Sequence, residues 1–142
     1  MKYKFLDHTA DIMFEAYGKT LENLFVNTAL ATESIMVNMD TLEEKEDYTI
    51  LLENEDIKEL LYDFLSELIF VKDTEELLFK KFNVVILHKN KKYELIAHCI
   101  GEIINREKHE LIDDAKAVTK HMFEVKRREK DGAWKANVIV DI

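Results

Sequence analysis

The stretch 82-FNVVILHKNKKYELIAHCIGEII-104 decides the architecture. It is rich in β-branched and aromatic residues with partial alternation, the pattern of half-buried strands, and it is interrupted by HKNKK at residues 88–92, a polar run suited to a hairpin turn. Two strands and a tight connection are predicted here. Downstream, AKAVTKHMFEVKRRE (residues 115–129) and WKANVIVDI (residues 134–142) repeat the pattern around a second turn at KDG, residues 130–132. Upstream, strands are predicted around residues 3–6, 12–17 and 48–52.

Elsewhere the period is helical. Over residues 20–37, Leu21, Leu24, Phe25, Thr28, Ala29, Ile35 and Met36 recur at helical spacing, with Thr20 as N-cap just after Gly18. From Asp56, a broader apolar stripe runs through Leu60, Leu61, Phe64, Leu65, Leu68 and Ile69, and Asn54, Glu55 and Asp56 supply the cap and first-turn acids. This stripe is read as core, and the helical pattern ends near Glu75. The expected fold is α+β, with two helices packed on a largely antiparallel β-sheet in a single-domain sandwich over residues 1–142. A chain of 142 residues buries roughly two thirds of its unfolded surface, enough for one core. Three glycines and no proline leave no linker to divide it. The acidic run MDTLEEKEDY, residues 39–48, reads as a solvated loop leading into a strand.

Charge and composition exclude several functions. With 29 acids against 20 bases the net charge is -9, which disfavours direct nucleic-acid binding and leaves room for a basic patch or a basic protein partner. No apolar run approaches the ~18 residues of a membrane span, and the lysine-bearing start MKYKFLDHTAD has no apolar signal region, so a soluble cytoplasmic protein is expected. The single cysteine, Cys99, reads as a small buried hydrophobe in a strand. Glycine-rich phosphate loops are absent, and His88, His98 and His109 have no metal-ligand spacing, which assigns them to surface or strand positions.

Three groups of residues could carry chemistry. DHTADI, residues 7–12, places Asp7, His8 and Asp11 in a short connection between two strands, which makes it either a turn built by Asp and Thr side chains or part of a divalent-ion site. The final strand ends in Asp141 and Ile142, a side-chain carboxylate next to a terminal carboxylate; such a pair needs a cation nearby or else frays into solvent. A hard ion held by Asp11, Asp141 and the Ile142 carboxylate would satisfy both stretches. In KAVTKH, residues 116–121, alternation puts Thr119 and His121 on one face with Ala117 and Phe123, and Lys116 on the other with Val118, so convergence would require a bulge or a sheet edge. There is no nucleophile elbow to support a hydrolase triad.

FLDHTADI at the start, LLYDFLSELIF in the second helix, KAVTKH late in the chain and VIVDI at its end, in this order and separation, resemble the archease family over essentially the whole length. The resemblance implies a protein cofactor, not an enzyme, that activates the RtcB-type RNA ligase of tRNA splicing. That ligase joins a 2',3'-cyclic phosphate or 3'-phosphate end to a 5'-hydroxyl end after taking GMP from GTP onto a histidine, and the activator promotes this guanylylation and repeated turnover. RNA is then met indirectly, through the ligase. By the same resemblance a divalent metal ion, Ca or Mg/Mn, falls on Asp11, Asp141 and Ile142, with Asp7, His8, Lys116, Thr119 and His121 in supporting roles. The chain departs from the family at Lys120, where tyrosine commonly precedes the histidine. Two alternatives of other classes remain: a small metal-dependent hydrolase using Asp11 and Asp141 with His8 as base, or a chaperone-like module for an RNA-modifying enzyme.

Overall fold

A computed structural model describes residues 1–6 and 11–142. The chain order is β1 (Tyr3–Leu6), β2 (Ile12–Gly18), α1 (Leu21–Met36), a 3-10 turn (Met39–Thr41), β3 (Glu46–Asn54), α2 (Ile57–Glu75), β4 (Leu77–Lys89), β5 (Lys92–Ile103), β6 (Ala117–Arg127) and β7 (Trp134–Asp141). The expected two helices and antiparallel strands are present, and the strands divide between two sheets, ordered β1-β2-β7-β6 and β3-β5-β4. Each helix touches both sheets: α1 packs on β2 and β7 of one and β4 of the other, α2 on β6 of one and β3, β4 and β5 of the other.

The helices begin where side chains satisfy their free N–H groups. Thr20 accepts from the Asn23 N–H at 3.1 Å, and Asp56 accepts from Lys58 and Glu59 at 2.8 and 3.4 Å. Glu76, in the left-handed region at φ 55°, stops α2 and starts β4. Phe25 of α1 stacks on Phe64 of α2, and Phe64 meets Phe82 of β4 edge to face, so one aromatic series joins the helices to the three-stranded sheet. Asn90 and Lys91 both have positive φ, 53° and 62°, as a two-residue hairpin turn with the twist of its flanking strands demands.

Three expectations need correction. The alternation drawn through residues 116–123 fails because β6 bulges: its pairing with β7 jumps between Thr119 and Glu124, and Met122 lies at φ 56°. Val118 and Phe123, assigned to opposite faces, are therefore both buried, while Ala117 and His121 are exposed. The acidic run 39–48 is not simply solvated loop, since it opens with the 3-10 turn, buries Leu42 and enters β3 at Glu46. His109 is neither on the surface nor in a strand; it is buried in the connection between β5 and β6.

Candidate functional site

The sheet β1-β2-β7-β6 brings three chain segments together at one end. β2 pairs with β7 up to Ile12 opposite Val140, so Asp11 and Asp141 each lie one residue beyond the same pair. Across the other edge of β7, Asp141 pairs with Ala117, and the Lys116 N–H donates to the Asp141 carbonyl at 2.7 Å. The register that does this is set by burial, because Phe14, Ala16, Ala136, Val138 and Val140 all point into the core and a one-residue slip would turn every one of them outward.

Asp11 is half-buried and lines an open cleft of about 390 Å³ with Phe5, Leu6, Ile35, Ile112 and Asp113. Asp141 and Ile142 are exposed at the strand end. Lys116 is exposed beside them, whereas Thr119 and His121 stand farther along β6, where the Thr119 hydroxyl accepts the His121 N–H at 2.8 Å and stabilises the bulge. Lys120 turns toward α2, 3.1 Å from Glu59 and 4.9 Å above the Tyr62 ring. Thus Asp11, Asp141, Ile142 and Lys116 share one end, and Thr119 and His121 do not join them. Asp7 and His8 lie outside the described residues.

Carboxylate oxygens are the right donors for a hard divalent cation such as Mg²⁺, Ca²⁺ or Mn²⁺. Among the described residues, no group of three or more His, Cys, Asp or Glu side chains is arranged to hold a metal ion. Asp11 and Asp141, with the Ile142 carboxylate, are the residues here that could do so together with water.

Behind this end lies a buried lysine that sequence reading passed over. Lys72, in the last turn of α2, donates to the Ala115 carbonyl at 2.9 Å and pairs with Asp73 at 2.7 Å and with Asp114. Burial alone would lower its pKa, but the two carboxylates outweigh that and raise it. The amine thereby pins residues 114–115, directly ahead of the Lys116 bond to Asp141. Further out, Glu102 accepts from Lys108 at 2.7 Å, from His109 Nε2 at 2.8 Å and from the Glu43 N–H at 3.0 Å, and these contacts, Lys108 foremost, bring its pKa down to about 2. His109 Nδ1 accepts the Asn105 N–H at 2.9 Å, so this ring ties the β5–β6 connection to β5.

The remaining missed group is Glu33 of α1, fully buried, with Oε1 accepting the Phe79 N–H at 2.9 Å and Oε2 without a hydrogen-bond partner among the described residues. Both buried ionisable groups had a signal in the sequence: Glu33 follows Phe25 and Ala29 at spacing four, and Lys72 follows Leu65, Leu68 and Ile69, each on an apolar stripe. Cys99 is buried in β5 as expected, and burial pushes its thiol up to about 12.

The family model described as "Archease protein family (MTH1598/TM1083)" matches residues 3–142. The chain belongs to the archease family. It is 40% identical over 141 residues to "Protein archease" of Pyrococcus furiosus, covering 99% of each chain. It is 44% identical over 140 residues to "Protein archease" of Methanothermobacter thermautotrophicus, covering 99% of this chain and 98% of the relative. The solution structure of Methanobacterium thermoautotrophicum Protein 1598 superposes with a TM-score of 0.88 at 42% identity, over 99% of this chain and 98% of that one. Among the described residues, no helix is long and apolar enough to cross a membrane.

Proposed function

We propose that this archease-family chain is a non-catalytic activator of an RtcB-type RNA ligase in tRNA splicing, promoting transfer of GMP from GTP to the ligase histidine. The observation that carries the reading is membership of the archease family along residues 3–142, joined to the meeting of Asp11 and Asp141 at one sheet end. In this reading Asp11, Asp141 and the Ile142 carboxylate hold a divalent ion, Ca or Mg/Mn, with Lys116 beside them, and the site is presented to the ligase where nucleotide and metal enter.

The rate advantage is one of positioning. Phosphoryl-type transfers need the triphosphate held in line with its attacking group and its charge neutralised, and a carboxylate-held cation presented by a second protein supplies both. The paired ends of β2 and β7 place that cation at the end of the four-stranded sheet. Excess negative charge on the activator also suits docking to a ligase surface that binds RNA.

The test is radiolabel transfer from [α-³²P]GTP to the cognate ligase, with and without this protein. Wild type accelerates the reaction, whereas Asp11→Ala and Asp141→Ala lose most of the acceleration while melting close to wild type. No acceleration by wild type defeats the activator reading, and full acceleration by both variants defeats the carboxylate site.

A further inference from the structure

Charge in this acidic chain is segregated along the four-stranded sheet. The end described above carries Asp11, Asp113, Asp114 and Asp141. At the other end, Lys126 of β6 pairs with Lys135 of β7, Lys135 pairs with Tyr17 of β2, and the Tyr17 N–H donates to the Lys2 carbonyl at 2.8 Å. A row of three lysines and one tyrosine therefore crosses the sheet, roughly 14 Å wide at the ~4.8 Å spacing of neighbouring strands; Glu15 lies beside it, pairing with Lys135 at 3.4 Å and accepting from the Tyr17 hydroxyl.

The next row lies on the opposite face of the sheet, because side chains alternate along a strand, and brings further cations to the same sheet end. Arg127 pairs with Trp134, its guanidinium 5.7 Å from the ring centroid, and Trp134 pairs with Gly18, which Lys19 follows; Lys130 sits in the turn between β6 and β7. Lys2, Lys19, Arg127 and Lys130 are exposed and have no carboxylate partner among the described residues. Lys126 pairs with half-exposed Glu124, 3.0 Å away, a contact that a phosphate can replace at little cost.

We infer that this basic end is a contact surface for single-stranded RNA. Phosphates would lie against the unpaired cations, and the half-exposed Tyr17 ring, set between Lys2 and Lys135, offers a stacking face to an unpaired base. The net charge of -9 does not oppose this, because the cations at this end outnumber the neighbouring acids Glu15, Glu124, Glu129 and Asp131, and fields between exposed charges are screened beyond about 8 to 10 Å. The surface is independent of the carboxylate end, so it stands whether or not a ligase is the partner.

The experiment is fluorescence anisotropy of a labelled single-stranded 20-mer oligouridine with the full chain, titrated across salt concentrations. Four phosphate contacts predict a log–log salt slope of about -3, hence affinity about 50-fold weaker at 200 mM than at 50 mM salt. Combined Lys2→Ala, Lys19→Ala and Lys130→Ala should cut the slope to about -1 and abolish measurable binding at 100 mM. Combined Lys58→Ala, Lys81→Ala and Lys91→Ala, an equal charge change at exposed lysines elsewhere, should leave binding unchanged. No binding at 50 mM salt, equal losses in both triple variants, tighter binding to duplex RNA of the same length, or binding to phosphatidylserine vesicles without binding to RNA would each overturn the inference.

Discussion

Replacing Glu33 with glutamine tests the reading of the buried carboxyl on α1. Its side chain has no exposed surface, one oxygen accepts the Phe79 N–H and the other meets no partner, and burial pushes the pKa up to about 8 against the opposing pull of the Phe79 N–H and Lys72. Lys72 is already engaged by Asp73, Asp114 and the Ala115 carbonyl, so it offers an ionised Glu33 only distant help. The folded chain therefore keeps a proton here that the unfolded chain releases above pH 4.5. Because the unfolded state binds fewer protons in this window, stability falls as pH rises, by about 1.4 kcal/mol per unit, from near 4.5 until it levels off near 8. The whole contribution is on the order of 4 to 5 kcal/mol. Glutamine keeps the acceptor for Phe79 and cannot ionise. Urea unfolding of both proteins at pH 5, 6, 7, 8 and 9 should show Glu33→Gln gaining on wild type up to pH 8 and the difference flattening above it. Parallel stability curves would refute the argument that Glu33 is buried neutral.

Other perturbations follow from single contacts. A Cβ on Gly101 would sit 1.9 Å from the Leu78 carbonyl oxygen and 2.7 Å from the Phe79 Cα, both backbone atoms of the neighbouring strand at its bulge, so Gly101→Ala should cost about 3 kcal/mol in denaturant unfolding. Lys72→Met leaves the Ala115 carbonyl without its donor and should cost about 1–3 kcal/mol, with faster amide exchange at Lys116; Lys72→Arg should restore part of the loss. His109→Ala removes the bonds to Glu102 and Asn105 and should speed exchange of the Asn105 and Lys108 amides by at least tenfold, while the Asn38 amide, held by the Glu110 carbonyl at 2.8 Å, changes less.

Helix positions were legible because each helix buries one continuous stripe and starts at a side chain that can cap it; Thr20 and Asp56 cap where the spacing put them. The long hairpin was legible because its turn needs two residues at positive φ, and Asn90 is a residue type that takes such a conformation readily. The division into two sheets was not, since alternation reveals which face of a strand is buried and says nothing about its neighbour. Nor was the bulge in β6: nothing in TKHMF, residues 119–123, announces that Met122 takes a positive φ, yet that one residue puts Phe123 on the buried side with Val118. The buried polar groups escaped for a related reason. Glu33 bonds the Phe79 N–H 46 residues away and Lys72 the Ala115 carbonyl 43 residues away, bonds that no local pattern reveals, whereas His109 and Glu102 are 7 residues apart.

The candidate site shows how far a chemical reading can go without a register. Asp11 and Asp141 were recognisable as residue types, but their adjacency depends on β2 and β7 pairing as they do, and that pairing is enforced 1 to 5 residues inside the sheet by Phe14, Ala16, Ala136, Val138 and Val140. Strand side chains alternate, so the smallest slip that keeps those residues buried is two positions, about 7 Å along the strand. Oxygen ligands of Ca²⁺ lie within about 2.6 Å of the ion, so two carboxylates displaced by that much could no longer share one. A core substitution that loosens the β2–β7 register, such as Val138→Gly, should therefore weaken binding of Ca²⁺ or Mn²⁺, measured by calorimetry, even though Val138 is fully buried and touches neither carboxylate's end of the sheet. Undiminished binding in a variant that remains folded would mean that the two carboxylates do not act as one site.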